Sequence, residues 1–265
     1  MKYKKYRFDD TDTIPFNGKT LYRIIALINF AGVAAGDKGG YIESENNLSH
    51  DGDAWVRDNA LVYDNAEVCE NALVFGNAVI YGNAKIYGNA KVFDGAHIYD
   101  DAKIYGDARV SNEANVFKKA QVYGSARVYD NATIKNNAKV YGCAEIYDDA
   151  WVYGISSISG NAKIFGIVDI FGEATISSYA QVSKYKDYFC AQSFGEAGTT
   201  ITFFRNVIDN VTGWTVGYGS FVGTIEEFRK KVKKLYDDSF IVQEYLMIAD
   251  LMELRIKRVE NNVEK

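Results

Sequence analysis

Alanine recurs at every sixth residue from Ala54 to Ala180, and only Ser156 and Val168 replace it in 22 steps. Valine or isoleucine stands two residues after every step, and no insertion breaks this register before Val182. The period does not fit an α-helix, whose apolar stripe recurs about every 3.6 residues. It fits short strands joined by tight corners, because residues spaced by two point to the same side of a strand. The alanine and the aliphatic residue are therefore predicted to face an interior, with the residue between them outside.

Each step also carries residues that favour a corner. Gly, Asp or Asn stands two places before most of the alanines, and Asn often follows it. These residue types adopt left-handed or turn backbone at little cost. Three strands and three corners would close a coil of about 18 residues, and successive coils would pair as parallel strands about 4.8 Å apart. The pattern predicts a mainly β chain with a parallel β-helix over residues 53–184, roughly seven coils and about 34 Å tall.

The repeated phrase V/I-Y/F-G/D-N/D-A-x, over residues 53–183, resembles the hexapeptide repeat of left-handed parallel β-helix proteins. The resemblance implies a left-handed coil, against the general preference for right-handed crossovers. The best-known proteins of this family are acyltransferases that use acetyl-CoA and act as trimers with sites between subunits. The chain departs from the family after the aliphatic residue, where Tyr or Phe fills 15 of the 22 positions and the family often has a small residue.

The two ends of a solenoid expose strand edges and need caps. Residues 1–52 lack the repeat and are predicted to form an N-terminal β cap, with a strand at LYRIIALINF (21–30) and a turn-rich stretch after it. The segment from LYRIIALINF through GDKGGYIESENNLS (36–49) resembles the segment before the repeat in hexapeptide-repeat proteins of phages and prophages. That resemblance implies a phage or prophage origin.

After the repeat, residues 185–265 are predicted to form a small C-terminal α+β module of two strands and two helices. The predicted elements, in chain order, are a strand at TTITFFRN (199–206), a strand at WTVGYGSFVG (214–223), a capping box of Thr224 and Glu227, a helix from Ile225, and a helix over residues 240–258. The stretches GTTITFFR and SFVGTIEEF resemble a C-terminal module of phage and prophage repeat proteins.

Strands three steps apart share a face of the predicted prism, and their outward residues distinguish the three faces. Two faces carry Lys and Arg, which keep a sheet surface soluble. The third face has neither, and its outward residues are Leu61, Val79, His97, Asn115, Thr133, Trp151 and Asp169. An apolar face of this kind is typical of a contact surface. Leu61, Val79, His97 and Trp151 are therefore the predicted interface, either of a homo-oligomer, with a trimer favoured, or with the chain's own C-terminal module.

Aromatic residues also repeat by face. Two ladders are predicted: Tyr63, Tyr81, Tyr99 and Phe117, and then Tyr87, Tyr105, Tyr123 and Tyr141. Such rings would form a platform for flat ligands or bases, or they would shield the corner backbone by stacking across strands. The number of rings exceeds the need of a single ligand site, which favours the structural interpretation.

His97 is the candidate general base under an acyltransferase alternative, with acetyl-CoA as the cofactor. Its outward strand position would place it at a subunit interface. An ordinary residue of the sheet face is the favoured interpretation, because no inserted loop exists to wall off a pocket. His50 is predicted to be a solvated residue of the cap turn. No Ser/His/Asp order, phosphate-binding glycine loop or HExxH motif is present, and no other catalytic residue is predicted.

A second candidate site lies on or beside the predicted hairpin of the C-terminal module. It comprises Thr199, Thr200, Arg205, Trp214 and Tyr218. An arginine with hydroxyl groups and aromatic rings would hold a phosphate and a base. The favoured interpretation is a half-exposed hairpin packed on two helices.

Composition excludes several classes of function. A formal net charge of −5 opposes general binding to nucleic acid or to an anionic membrane. No apolar run reaches the length of a membrane span, so no membrane association is predicted. Three cysteines without a CxxC pattern and two histidines do not make a zinc framework, and no metal site is predicted. Free thiols fit a reducing cytoplasm, which is the predicted location, within a host cell if the chain is phage-encoded.

These observations favour a non-enzymatic binding protein that captures a host protein or a small nucleotide-like signal and needs no cofactor. The unbroken prism and the flanking segments of phage type motivate this prediction. Two alternatives stay open at this point. One is a CoA-dependent acyltransferase that uses His97, and the other is a structural spacer that holds the C-terminal module in place.

Overall fold

The computed structural model describes residues 4–194, 199–209, 211–236 and 240–261. Through the repeat, the chain forms strands of two residues each, and strands three steps apart pair in parallel. About eight coils stack in this way and make a parallel β-solenoid with three faces. The mainly β fold with a parallel solenoid and a small C-terminal α+β unit is therefore confirmed.

Each face is named here after one outward residue. The Leu61 face contains β5 (Leu61–Val62), β8 (Val79–Ile80), β11 (His97–Ile98), β14 (Asn115–Val116), β17 (Thr133–Ile134), β20 (Trp151–Val152) and β23 (Asp169–Ile170). The Lys85 face contains β6 (Glu67–Val68), β9 (Lys85–Ile86), β12 (Lys103–Ile104), β15 (Gln121–Val122), β18 (Lys139–Val140), β21 (Ser157–Ile158) and β24 (Thr175–Ile176). The Lys91 face contains β4 (Trp55–Val56), β7 (Leu73–Val74), β10 (Lys91–Val92), β13 (Arg109–Val110), β16 (Arg127–Val128), β19 (Glu145–Ile146), β22 (Lys163–Ile164) and β25 (Gln181–Val182). These pairings confirm the predicted assignment of outward residues to faces.

The interior of the solenoid is lined by the alanines and by the Val and Ile residues of the repeat, none of which has solvent exposure. Full burial of each Val or Ile side chain stabilises the fold by about 1.5–3 kcal/mol. The two exceptions to the alanine pattern fit the same interior. Val168 is fully buried, and the Ser156 hydroxyl donates to the Tyr153 carbonyl oxygen at 2.8 Å, so its polar group is satisfied.

One residue at each corner has left-handed backbone, two places before the alanine, as the sequence predicted. Its φ lies between 54° and 78° at every sixth position from Asp58 to Ser178. Glycine adopts this conformation without strain. Where a carboxylate stands at the corner, it can accept the backbone N–H of the next coil, and Asp148 accepts from Gly166 at 2.9 Å. The corner residues therefore bond one coil to the next.

The N-terminal cap extends the sheet of the Leu61 face beyond its first strand, β5. Strands β1 (Tyr6–Phe16), β2 (Lys19–Ala26) and β3 (Lys38–Ile42) are antiparallel neighbours, and β3 pairs in parallel with β5. A 3-10 helix (Glu45–Asn47) then leads towards the first coil. Because β1 is the free edge of the sheet, its register shift and Pro15 discourage pairing with another strand.

Strand β3 lies in the stretch that the sequence predicted as turn-rich. A Cβ atom on Gly39 would lie 2.6 Å from the Val56 carbonyl oxygen, and one on Gly40 would lie 2.7 Å from the Ala60 carbonyl oxygen. The strand therefore approaches the first coil at a distance that only glycine permits. Here the glycine pair marks close packing of backbones and no turn.

Lys5, Tyr6 and His50 cover the N-terminal end of the interior. Lys5 Nζ donates to the carbonyl oxygens of Gly52 at 3.2 Å and Ala54 at 2.8 Å, and desolvation lowers the pKa of Lys5 to about 8. The Tyr6 ring stacks on the His50 ring with 4.3 Å between centroids. The prediction of a solvated His50 is wrong, because this stacking leaves its side chain only 13% exposed.

In its described residues, the C-terminal module has four antiparallel strands and two helices, where the sequence predicted two of each. They are β26 (Tyr188–Phe194), β27 (Thr199–Ile208), β28 (Val211–Tyr218), β29 (Phe221–Gly223), α1 (Ile225–Tyr236) and α2 (Phe240–Asn261). The predicted strand over residues 214–223 is divided because Gly219, at φ 56°, turns the chain between β28 and β29. Strand β26 follows a short 3-10 turn (Tyr185–Asp187) that has no Gly or Pro to signal it.

The sheet of the C-terminal module is the second cap of the solenoid. One of its faces closes the interior, since Phe204 packs into the solenoid core and the Thr202 hydroxyl accepts the Thr175 backbone N–H at 3.0 Å. The opposite face carries both helices, with Phe203 and Phe228 fully buried between sheet and helices. Helix α1 begins with the predicted capping box, in which the Thr224 hydroxyl accepts the Glu227 backbone N–H at 3.1 Å and the Glu227 carboxylate accepts the Thr224 backbone N–H at 2.8 Å.

Candidate functional site

Both predicted aromatic ladders are present. Neighbouring ring centroids lie 4.7–5.2 Å apart, with planes within 6° of parallel. A third ladder joins Phe75 to Phe93 and, beyond Ser111, Tyr129 to Tyr147 and Phe165. Because both faces of an inner ring already touch neighbouring rings, a flat ligand would reach only ring edges. The ladders therefore serve the stacking of coils.

The predicted interface on the Leu61 face is partly covered by the chain itself. Leu61 and Val79 are only 8% and 9% exposed, and they form a buried cluster with Leu21 and Tyr41 of the N-terminal cap. These two residues are therefore closed to another subunit, which corrects the interface prediction at both positions. The cap reaches them because β1 and β2 extend the same sheet and turn their apolar side chains onto it.

His97 and Trp151 lie further along the same face. His97 is half-buried between Val79 and Asn115 in the parallel ladder, and the two-residue strands beside it supply no wall for a pocket. Its role as a general base stays a prediction of the acyltransferase alternative. Trp151 is 43% exposed, and Lys135 Nζ lies 4.1 Å from its ring centroid.

The Leu61 face ends in a surface named here the aromatic patch, which comprises the exposed Trp151, Phe171 and Tyr185 and the half-buried Tyr153 and Phe189. The Tyr153 and Phe171 rings stack with 5.9 Å between centroids. Asp169 pairs with Trp151 in the sheet, and its carboxylate accepts the Tyr185 hydroxyl at 3.4 Å. The patch is therefore held by the last coil of this face and by the 3-10 turn that follows the solenoid.

Within this region lies a cavity of about 210 Å³, named here the aromatic cavity. It is lined by Phe171, Tyr185, Tyr188, Phe189, Cys190 and Arg255. The Arg255 guanidinium carbon lies 5.1 Å from the Phe189 ring centroid, a cation–π contact. The cavity thus combines aromatic walls with one cation from α2.

Two groups of the aromatic cavity, the Tyr188 hydroxyl and the Cys190 thiol, stay neutral at neutral pH. Burial raises the pKa of the Tyr188 hydroxyl, which donates to the Asp169 carbonyl oxygen at 2.6 Å. Burial also raises the pKa of the Cys190 thiol. A thiol of raised pKa has little thiolate at neutral pH and is a poor nucleophile. The lining is therefore suited to holding a ligand more than to reacting with one.

A larger apolar groove of about 530 Å³, named here the α2 groove, adjoins the aromatic cavity. It shares Phe189 and Arg255 with that cavity, and α2 contributes Leu251, Leu254 and Arg258 to it. The groove is apolar along the helix and basic at its rim. The exposed apolar surface therefore continues from the solenoid onto the C-terminal module.

The five residues predicted as a ligand site on the hairpin do not converge. The Thr200 hydroxyl donates to the Glu173 carboxylate at 2.9 Å, at the end of the solenoid. Arg205 forms an ion pair with Asp187 at 3.6 Å. In the sheet, Arg205 is paired with Trp214, and Tyr218 is paired with Ile201. The two pairs are four residues apart along the strands, so roughly 13 Å separates them.

Tyr218 belongs to the packing between sheet and helices. Its hydroxyl lies 2.7 Å from the Tyr236 hydroxyl and donates to the Tyr245 hydroxyl at 3.2 Å. Burial raises the pKa of Tyr218, and the residue is 7% exposed. Trp214 packs against the same cluster, whereas Thr199 stands at the start of β27, opposite Phe194 of β26. The geometry of Tyr218 and Trp214 thus agrees with the packed-hairpin interpretation.

Among the described residues, no group of three or more His, Cys, Asp or Glu side chains is arranged to hold a metal ion. All three cysteines lie in the described part of the chain and are free thiols. No helix in the described ranges has the length and apolar character to cross a membrane.

Comparison with known proteins supports the solenoid. A family model described as the YdcK Beta solenoid repeat matches residues 126–142, which is about one coil. No curated protein matches the chain. The match therefore shows a likeness to that repeat over one coil, and the function has to be argued from the surface.

Most residues of the aromatic cavity were missed by sequence reasoning. Phe171 stands in the repeat phase of an aromatic ladder, so its place on the Leu61 face was readable. Tyr185, Phe189 and Arg255 lie outside the repeat, and only the docking of the C-terminal module brings them to this face. No spacing in the sequence signals that docking.

Proposed function

We propose that this protein is a non-enzymatic binding protein, and that it holds a flat anionic small molecule of nucleotide type in the aromatic cavity. The observation that supports it is the combination of aromatic walls from Phe171, Tyr185 and Phe189 with the guanidinium of Arg255. Stacking of a base on an aromatic side chain is worth about 1–3 kcal/mol. A guanidinium adds a charge-assisted hydrogen bond to phosphate.

A binding role fits the lining better than catalysis does. Arg255 supplies a fixed positive charge, while Tyr188 and Cys190 are kept protonated by burial. General acid–base catalysis needs a group whose pKa lies near the working pH. Burial moves Tyr188 and Cys190 away from that range, so a ligand would be held unchanged.

The finer assignments from sequence belong to the same proposal. The repeated phrase supports a left-handed solenoid of the hexapeptide-repeat type. The flanking segments GDKGGYIESENNLS and SFVGTIEEF support a phage or prophage origin, with action in the cytoplasm of the host. Capture of a soluble signal would suit such a protein.

The test is calorimetric titration and thermal unfolding with linear nucleotides, cyclic nucleotides and acetyl-CoA. We expect at least one nucleotide to bind and raise Tm. The Arg255→Ala and Phe171→Ala variants should each weaken binding by about tenfold or more. Arg109→Ala is the matched control, because Arg109 is an exposed arginine on the Lys91 face, and it should bind as the unchanged protein does.

Two results would overturn the proposal. One is a flat response to every nucleotide, which would favour the spacer. The other is turnover of acetyl-CoA that His97→Ala abolishes, which would establish the acyltransferase.

A further inference from the structure

Helix α2 carries two apolar stripes on opposite sides. The first is buried against the sheet and α1, and it includes Tyr245 and Met252. The second faces solvent, with Phe240 85%, Met247 69% and Leu254 66% exposed. A helix at the surface of a globular domain normally shows one apolar stripe and one polar face. The second stripe is therefore a helix face without a partner in the described chain.

The spacing of this exposed stripe is that of a helix–helix seam. Its residues are Phe240, Glu244, Met247, Leu251, Leu254 and Arg258, separated alternately by four and three residues. That alternation is the heptad pattern that packs one helix along another. At about 1.5 Å per residue, the stripe is roughly 27 Å long, or five turns.

The charges on the stripe are arranged symmetrically about its centre. Glu244 and Arg258 each stand seven residues from Leu251, on opposite sides. Seven residues bring a helix back to within about 20° of the same face. Within the described residues, neither side chain forms an ion pair, whereas Asp250 and Glu253 both pair with Arg229 of α1. Glu244 and Arg258 are thus the exposed charges without an ion partner on this seam.

We propose that the exposed stripe of α2 is the docking surface for α2 of a second copy, antiparallel about a two-fold axis near Leu251. In that arrangement Glu244 of each copy is level with Arg258 of the other, and the apolar residues between them are covered. A parallel dimer or trimer would set Glu244 against Glu244 and Arg258 against Arg258, which is repulsive. The two-fold pairing matches each charge with its opposite and is isologous, as in most homodimers.

The surroundings of α2 agree with this partner. The second helix would lie along the α2 groove, where the basic rim of Lys186 and Arg258 meets the acidic amino-terminal half of the incoming helix. The α2 groove shares Phe189 and Arg255 with the aromatic cavity, but the residues of the exposed stripe lie outside the lining of that cavity. The inference therefore does not depend on the identity of any ligand.

The first test is sedimentation of the full chain over a range of concentrations. We expect a species of twice the 29.6 kDa chain mass. Leu254→Glu should raise the dissociation constant of the dimer by more than about tenfold, because it places a charge in the apolar seam. Ile167→Glu is the matched control, since Ile167 is an equally apolar residue, 77% exposed, in the solenoid, and it should leave the mass unchanged. Circular dichroism confirms that each variant is folded.

Charge exchange then tests the orientation. Glu244→Arg alone and Arg258→Glu alone each place like charges level with one another, so both should weaken the dimer several-fold. The double variant E244R/R258E restores opposite charges only in the antiparallel arrangement and should return the dissociation constant to within about twofold of the original.

A monomer at every concentration, a trimer, or a dimer that Leu254→Glu leaves intact would overturn the inference. A double variant as weak as the two single ones would overturn the antiparallel orientation. Nucleotide binding should persist in the Leu254→Glu monomer, and Phe171→Ala should remain dimeric. Failure of the docking inference is therefore distinguishable from failure of the proposed function.

Discussion

The ring of Tyr105 stacks on the ring of Tyr123, with 4.8 Å between their centroids and 1° between their planes. Tyr105 also stacks on Tyr87 at 4.9 Å, so its ring is enclosed on both sides. An aromatic pair of this kind is worth about 0.5–1.5 kcal/mol beyond its buried area. We expect Tyr105→Leu to lower the free energy of unfolding in urea by about 1–3 kcal/mol, since two pairs are lost.

Tyr179→Leu is the matched control for the ladder. Tyr179 is 51% exposed and stacks on no ring of the described residues, so its replacement should change the free energy of unfolding by less than about 0.5 kcal/mol. Equal losses in the two variants would contradict a stabilising role for the ladder.

Lys118 occupies a corner with left-handed backbone, at φ 58°, where most other coils have Gly, Asp or Asn. A residue with a Cβ is strained by roughly 1–2 kcal/mol in this conformation, and glycine removes that strain. Part of the gain is lost because glycine is more flexible in the unfolded chain. Lys118→Gly should therefore raise the free energy of unfolding by about 0.5–1 kcal/mol. The backbone N–H that donates to Asp100 at 3.2 Å is kept in the variant.

The neighbouring Lys119 gives the control for this corner. It is also exposed, but its backbone is not in the left-handed region. Lys119→Gly gains no relief of strain and should lower Tm in the same thermal scan in which Lys118→Gly raises it. Equal shifts in the two variants would show that the corner conformation does not decide the effect.

The lowered pKa of Lys5 should make the free energy of unfolding increase with pH. Its pKa is about 8 in the folded chain, against 10.5 in the unfolded chain. Between these values the unfolded chain holds a proton that the folded chain has released, so the free energy of unfolding increases as pH rises. The tyrosines oppose this above about pH 10, because burial raises the pKa of Tyr81 and Tyr129 to about 12 and the folded chain keeps their protons longer.

The measurement is urea unfolding at several values between pH 8 and pH 10, where the Lys5 effect precedes the loss due to tyrosine. We expect an increase of up to about 2 kcal/mol, at about 1.4 kcal/mol per unit of pKa difference. Lys5→Met cannot titrate and should remove the increase. A slope that survives in Lys5→Met would assign it to another group.

Leu21 is the residue of the N-terminal hairpin that covers Leu61 and Val79. It is fully buried in their cluster, so Leu21→Ala should lower the free energy of unfolding by about 2–5 kcal/mol. Loosening the hairpin would also expose the Leu61 face. Increased binding of a hydrophobic dye would detect that exposure. Leu27→Ala, at a side chain that is 42% exposed, should produce neither effect.

The repeat made the solenoid and its faces predictable. Each alanine fixes the phase of the next, and the same spacing correctly placed His97 beside Val79 and Asn115. The corner conformation was also readable, because Gly, Asp and Asn favour it. The same six-residue pattern occurs 22 times without an insertion, so few alternative folds are compatible with the sequence.

The caps and the candidate site depended on contacts without a period. Gly39 and Gly40 suggested a turn, yet the backbone of the first coil approaches them as a strand. Arg255 reaches Phe189 only after a whole module has docked. The residues of the exposed stripe of α2 are visible in the sequence. Because the helix has two apolar sides, only the fold shows which side is buried.

The hairpin that covers Leu61 belongs to the same continuous sheet as Trp151 of the aromatic patch, which lies five coils from Leu61. Inserting or deleting a single six-residue repeat would rotate everything beyond it by a third of a revolution, so the patch would leave the side of the molecule that carries the hairpin. Only whole revolutions of three repeats keep the two in line. Descendants of this protein can therefore gain or lose whole coils of three repeats and keep the orientation of one end relative to the other.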